Sequence, residues 1–401
     1  MPSLRLAAEP SSHVVSAASH SLAAPRLVFP ALDGLRGVAI LLVLMTLLWS
    51  YPAGHTTLNL LAAVGWCGVD LFFVLSGFLI TGILWDTRED PRYWRNFLGR
   101  RVLRIFPLYY LLLLFVFVVL PVAGASAELL RVREDWWLYA LYLGNVALAM
   151  SGWQLFLLDI TWSLSVEEQF YLVWPWVVRT LTAEALIVLC AALLVVTPAA
   201  RFVARHVFDL NGRWLLMLPL FRADAFAMGA LLAMLRRVPL VSPARVRRIA
   251  LGVLAVLGPF IMVRVVRGEF LRNTPFVDTI GFSLLALVMG AAVALAIEPG
   301  RLGRLLFTNR PLRYVGTVSY GLYLAHPIAL MVGGTVLARA FGRPIDTDAG
   351  LGAAVVQLVV VSLVALAAAG LSYRYVESPI LALKRHFAPT HEAAARVVKA
   401  A

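Results

Sequence analysis

Long apolar runs broken by short arginine-rich connections set the pattern of this chain. Runs at Leu35–Tyr51, Val64–Trp85, Val102–Val122, Val166–Val178, Ala183–Thr197, Leu215–Leu235, Ile249–Val263, Phe276–Ile297, Tyr314–Leu337 and Leu351–Leu371 predict helices. Several reach the roughly 17–25 residues a helix needs to cross the hydrocarbon core of a bilayer. Irregular backbone cannot face lipid without orphaned polar groups, so the runs read as helices rather than loops. The predicted fold is all-α: a polytopic transmembrane helical bundle of about ten spans.

The connections give the orientation. Arg88, Arg92, Arg95, Arg100, Arg101 and Arg104 crowd one of them, Arg236, Arg237, Arg245, Arg247 and Arg248 a second, and Arg301, Arg304, Arg310 and Arg313 a third. The positive-inside rule places all three in the cytoplasm. The stretch from Pro52 to Ala63 holds no Lys or Arg, as an outer connection should. An even number of crossings must then separate the first two basic clusters. The shorter piece Trp137–Met150 therefore reads as interfacial or re-entrant, and both termini as cytoplasmic, in the plasma (inner) membrane. Residues 1–30 read as a mobile Ser/Ala-rich tail without a signal peptide's apolar core, residues 31–380 as one membrane domain, and residues 381–401 as a second tail.

Composition agrees. Hydrophobic residues make up 61% of the chain and charged residues 14%, against about 45–50% and 25% in ordinary globular domains. The net charge of +13, from 35 Lys+Arg against 22 Asp+Glu, would suggest nucleic acid in a soluble protein. Here the arginines sit between apolar runs, so topology and the binding of a phosphorylated substrate are the two readings, and nucleic acid is not an expected partner. Cys67 and Cys190 cannot build a disulfide framework or a zinc ribbon, and no metal is expected.

Polar groups inside apolar runs carry the chemistry, because each costs a few kcal/mol at the bilayer centre unless paired or functional, of the order of 3 for a charged side chain on insertion scales. They fall in Leu32-Asp33-Gly34-Leu35-Arg36-Gly37, in Gly68-Val69-Asp70-Leu71-Phe72-Phe73-Val74-Leu75-Ser76-Gly77-Phe78, and in Arg100-Arg101-Val102-Leu103-Arg104-Ile105-Phe106-Pro107. Next comes Thr161-Trp162-Ser163-Leu164-Ser165-Val166-Glu167-Glu168-Gln169-Phe170-Tyr171. Arg222-Ala223-Asp224, Ser319-Tyr320-Gly321-Leu322-Tyr323-Leu324-Ala325-His326-Pro327 and Tyr373-Arg374-Tyr375-Val376-Glu377-Ser378-Pro379 follow.

In this order, from Leu32 to Pro379, the motifs resemble the acyltransferase-3 family of bacterial membrane O-acyltransferases. The resemblance implies about ten spans and transfer of an acyl group, often acetyl, from a cytoplasmic donor such as acyl-CoA. The implied acceptor is a hydroxyl of a glycan, glycolipid or related molecule. Arginine forks suit the phosphates of coenzyme A, and Arg36, Arg100, Arg101 and Arg104, at the cytoplasmic ends of the first and third runs, are the candidates to hold it.

One position departs from the family. Its pattern places a histidine eleven residues after the first-span arginine, where an imidazole can act as general base or relay the acyl group. Here that residue is Leu47, with Met45, Thr46 and Leu48 around it. His13, His20, His55, His206, His386 and His391 lie outside the runs; His326 lies inside one, as a kink-shaping histidine before Pro327 or as a catalytic group. Glu167, Glu168 and Asp70 complete the catalytic candidates. Ser165 to Glu168 also fits a capping box, and Asp70 could instead pair with an arginine. Trp162, Tyr171, Arg222 and Asp224 are the candidates for substrate contact, although Arg222 with Asp224, and Arg374 with Glu377, are also spaced for local ion pairs. Two rival readings stand beside the enzyme. One is a non-catalytic relative that binds donor or glycolipid, favoured by Leu47; the other is a transporter or flippase.

Overall fold

A computed structural model describes residues 29–48, 57–124, 132, 134–238, 241–341 and 350–388. His13, His20, His55, His391, the tail at 1–28 and the last residues of the 381–401 segment lie outside them. Among the described residues the chain is helical, without strands. Ten principal helices follow in order: α1 (Pro30–Met45), α2 (Gly68–Asp86), α3 (Tyr93–Leu114), α4 (Thr161–Thr180), α5 (Ala183–His206), α6 (Ala223–Arg237), α7 (Pro243–Val266), α8 (Phe282–Ile297), α9 (Ser319–Phe341) and α10 (Gly350–Ser372).

Seven stretches, carrying α2, α3, α5, α7, α8, α9 and α10, are long and apolar enough to cross a membrane. The other three differ for physical reasons. Helices α1 and α6 have 16 and 15 residues, while α4 has 20 but carries Glu167, Glu168 and Arg179. The run Leu215–Leu235, expected as one helix, is split. A short helix Gly212–Met217 gives way to a 3₁₀ turn at Pro219–Arg222, with Leu218 in extended backbone (ψ 135°) between them, the conformation favoured for a residue that precedes proline. The piece Trp137–Met150 is also broken, into Trp136–Ala140 and Gly144–Ser151, with Tyr142 at φ 56° between them.

Helices α2, α4 and α6 run parallel. Asp70 meets Arg222 at the start of α2 and α6, and Asp86 and Arg237 form a two-pronged pair at 2.6 Å at their ends. The successive pairs Ser76–Glu167 and Thr81–Trp174 set α4 alongside α2. Lipid offers no hydrophobic drive between helices, so close packing must come from small residues. Gly77 of α2 faces the backbone of Phe226, and Gly229 of α6 faces that of Val74, so a Cβ at either position would collide with main chain. Large apolar side chains such as Leu111, Leu172, Trp176, Val195, Val256 and Leu363 stay exposed on the outer faces, as lipid contact requires.

Residues after α10 continue through a π-helical turn at Tyr373–Glu377 to a last turn at Leu383–Phe387. That turn docks on α3, where Arg100 Nε donates to the Phe387 carbonyl at 2.6 Å and Asn96 to that of Ala388 at 3.2 Å.

Candidate active site

Helix α4 presents Ser163, Leu164, Glu167, Glu168 and Tyr171 in one stripe, at the three- and four-residue spacing that stacks side chains on a helix face. The facing stripe of α2 includes Val69, Phe72, Phe73, Ser76, Leu79, Ile80 and Ile83. With Arg36 of α1, Arg101 and Arg104 of α3, and Ser319, Tyr320 and Tyr323 of α9, they enclose a cavity of about 210 Å³. Polar groups distant in sequence thus share one mostly apolar chamber.

Arg36, Arg101 and Arg104, expected at the cytoplasmic ends of the first and third apolar runs, lie within helices that extend beyond those runs. Helix α3 begins at Tyr93 rather than Val102, because arginine and its neighbours sustain a helix well. Arg101 therefore lies about 12 Å along its helix at 1.5 Å per residue. On the same scale Ser76 lies about 15 Å in from Asp86. Arg100 leaves the chamber and turns to the Phe387 carbonyl.

The three chamber arginines are unevenly partnered. Arg36 meets Asp33 at 3.4 Å, and Arg104 meets buried Glu377 at 3.6 Å. Arg101 has no ion pair among the described residues; its Nε is buried without a hydrogen bond, and its guanidinium lies 5.7 Å from the Tyr171 ring centroid. Glu377 thus pairs through space with Arg104, and Arg374 stacks on Tyr375 at 5.5 Å, which replaces the local Arg374–Glu377 pair expected from spacing.

The carboxylates are held differently. Ser76 Oγ donates to Glu167 Oε1 at 3.0 Å and lies 3.1 Å from Tyr171 OH, which reaches Glu167 Oε2 at 3.3 Å. Glu168 is buried, with Oε1 lacking a hydrogen-bond partner. The capping-box expectation fails here. Ser165 sits inside α4 and donates back to the Thr161 carbonyl at 3.1 Å, so Glu168 closes no helix start.

Asp70, Arg222 and Asp224 belong to a separate buried network. Asp70 pairs with Arg222 across 152 residues. Asp224 accepts from Arg201 at 2.7 Å and from Ser283 at 2.6 Å. Arg201 also donates to the carbonyls of Phe221 and Thr279. The local Arg222–Asp224 pair is therefore not formed, since each finds its counter-charge on another helix. None of the three lines the chamber.

Trp162 is buried edge-on against Phe73 at 6.1 Å, behind the chamber wall. His326 is buried one turn beyond Tyr323 and does not line the chamber either. Pro327 has no N–H to offer the carbonyl four residues back, which is that of Tyr323. The His326 Nδ1 lies 2.6 Å from that same oxygen, so Nδ1–H satisfies it and helix α9 keeps its bond count. Leu47 is buried at the end of α1, in a 3₁₀ turn at Thr46–Leu48, and also stands off the chamber.

Ser76, Ser163, Ser319, Tyr320 and Tyr323 received no role from the sequence, though each lies in one of the motifs. Tyr323 OH lies 2.8 Å from Ser163 Oγ, and Tyr320 OH donates to the Ile105 carbonyl at 2.6 Å. The signal was available in the spacing of Ser319, Tyr320 and Tyr323, which puts three hydroxyls on one helix face.

The sequence model of a family described as "Acyltransferase domain" matches residues 29–374. The chain is similar to the peptidoglycan O-acetyltransferase OatA of Listeria monocytogenes, at 28% identity over 88% of this chain and 55% of that protein. YrhL of Bacillus subtilis, provisionally named for the same activity, is 29% identical over 88% of this chain and 54% of its own length. A provisional O-acetyltransferase of Staphylococcus aureus (strain COL) is 26% identical over 74% of this chain and 50% of its own. The chain thus spans about half the length of these curated relatives. No solved structure matches it.

Proposed function

We propose, from the premise that this chain belongs to the acyltransferase-3 family, that it is a membrane O-acyltransferase moving an acetyl group from acyl-CoA to a glycan hydroxyl. The relatives' names point to peptidoglycan as the acceptor class. The observation that carries the proposal is the chamber itself, which gathers three arginines and two carboxylates from α1, α3 and α4 into a mostly apolar wall.

A volume of about 210 Å³ falls below the roughly 300–1,000 Å³ of pockets that take a whole drug-sized ligand. It suits the narrow thioester arm of the donor and the phosphate joined to it, with the adenosine outside. Arg36, Arg101 and Arg104 hold donor phosphate, and Arg101, lacking an anionic partner, has most to gain. Glu167, oriented by Ser76 and Tyr171, takes the proton of the acceptor hydroxyl as its oxygen attacks the thioester carbon. The new C–O bond forms, the C–S bond breaks, and the proton ends on the departing sulfur. Glu168 lies beside this path as a second carboxylate. The carboxylates thereby take the part of the imidazole that Leu47 replaces, while His326 and Asp70 stay with the fold.

In the membrane, all ten principal helices cross. The arginine-rich connections lie in the cytoplasm, with both chain ends on that side.

Purified protein given acetyl-CoA labelled on the acetyl group should release label to a glycan acceptor or, slowly, to water. One observation favours a second reading, a non-catalytic donor-binding relative: Leu47 itself. Absence of turnover in the wild type, with turnover appearing in Leu47→His, would select that reading.

A further inference from the structure

Helices α2, α4, α6 and α8 begin, and α5 and α7 end, at the face of the bundle opposite the Asp86–Arg237 pair. Arginine is disfavoured in outward connections, so those found there need a reason. Near the ends of α5 and α7, Arg201 and Arg264 have one, since they pair with Asp224 and Glu269; Arg205 donates to the Leu210 carbonyl, and Arg267 is exposed.

Arg213 and Arg272 do not. Neither forms an ion pair or a side-chain hydrogen bond among the described residues. Arg213 sits in the short helix after α5 and Arg272 in the connection after α7, yet both converge on one corner of a third connection. Gly152 has φ 83°, and Arg213 Nη1 fills the space a side chain there would occupy. The next residue, Trp153, is 45% exposed, with the Arg272 guanidinium 5.8 Å from its ring centroid. Two carboxylates stand nearby and neither pairs with these arginines: Asp159 Oδ1 accepts from the backbone N–H groups of Gln154 and Leu155 at 3.0 and 3.2 Å, which fixes the corner, and Asp278 is buried against Gly212. Arg272 is also an electrostatic neighbour of the Tyr323 phenol, and Tyr323 lines the chamber with its hydroxyl on Ser163.

An exposed indole beside two unpaired, fork-shaped cations is the chemistry of an acidic sugar site. The ring face takes the sugar's C–H face, and the guanidinium groups take a carboxylate in charge-assisted pairs. We infer that Trp153, Arg213 and Arg272 form a binding site for an anionic saccharide on the face opposite the basic connections, from which its hydroxyl reaches the chamber past Tyr323. The inference rests on the reading of a glycan acceptor and specifies its charge.

The test is binding, without donor, so that it is separable from catalysis. Protein in nanodiscs of zwitterionic lipid is titrated with two fluorescent disaccharides, one carrying the free lactyl carboxylate of N-acetylmuramic acid and the other neutral chitobiose. The acidic sugar should bind about tenfold or more tightly. Arg213→Gln with Arg272→Gln should erase that preference, the paired Lys variants should keep part of it, and Trp153→Ala should weaken both sugars alike. Elution as a single species, as for the wild type, checks that each variant folds. Equal affinities in the wild type, or a preference that survives the double Gln variant, would overturn the inference. So would a preference that disappears when phosphatidylglycerol is added to the nanodisc, because the site would then serve lipid headgroups. Sugar binding without acetyl transfer would leave the inference standing and sink the enzymatic reading alone.

Discussion

Two clusters of buried charge sit a few residues apart on α2, and they are built in opposite ways. Around Asp70, every cation meets an anion: Arg222 on Asp70, and Arg201 on Asp224, with Ser283 bridging. None of these four charged side chains lines the chamber. Around Ser76, Arg101 forms no ion pair among the described residues although Glu167 and Glu168 share its chamber, Glu168 has an oxygen without a hydrogen bond, and the space between is open. Charge buried in an apolar medium is costly unless compensated. The first cluster is compensated in charge within the fold, although Asp70 Oδ2 and Arg222 Nε and Nη1 lack hydrogen bonds, and it ties α2, α5, α6 and α8 together. The second is left to be completed by something that enters. Burial of a charge alone therefore says little about function; the distribution of partners says more.

The largest effect that would test this contrast is on stability. Arg201→Met strands the Asp224 carboxylate and should cost about 3–5 kcal/mol, as breaking buried pairs does. It would be read as a lower thermal midpoint in detergent, partly restored by Asp224→Asn in the same chain. An unchanged midpoint would remove the distinction between the clusters. Next in size, Glu167→Gln should lower acetyl turnover about 100-fold, in the range of a lost general base, while its melting curve overlays the wild type. Leu47→His should cost about 1–3 kcal/mol by burying a polar ring. Because that site stands off the chamber, turnover should not rise; a gain would return the chemistry to the first helix. Smallest, Ser76→Ala removes one hydrogen bond to Glu167, worth about 0.5–1.5 kcal/mol, and should slow turnover by about two- to tenfold with substrate affinity little changed.

Much of this was legible beforehand, for identifiable reasons. Apolar runs mark helices because lipid admits little else, and helices appear in the runs, although Leu215–Leu235 breaks before Pro219 and Tyr314–Leu337 breaks at Val318. Arg36, Arg101, Arg104, Glu167, Glu168 and Tyr171 were picked out because polar groups are expensive there, and the fold brings all six to one chamber. Partners were harder to read. Spacing offered Arg222 to Asp224 and Arg374 to Glu377, but Arg222 went to Asp70, Asp224 to Arg201 and Glu377 to Arg104. A side chain three residues away competes with every charge that packing brings closer, and local spacing carries no record of packing. Arg201 was passed over for the same reason, looking like one more basic residue near a helix end. Helix ends misled as well, since apolar content marks where lipid begins rather than where hydrogen bonding stops. Arg101, at the edge of an apolar run, thus belongs to a helix that begins eight residues earlier.

The claim that Arg101, which forms no ion pair among the described residues, awaits a donor can be tested on one side chain. Equilibrium binding of acetyl-CoA to the wild type and to Arg101→Gln, with thermal midpoints taken on the same samples, separates its possible roles. The account predicts a dissociation constant about 10- to 100-fold weaker, the worth of a charge-assisted hydrogen bond, with the midpoint unmoved. Equal affinity, or a midpoint that falls as far as that of Arg201→Met, would contradict it.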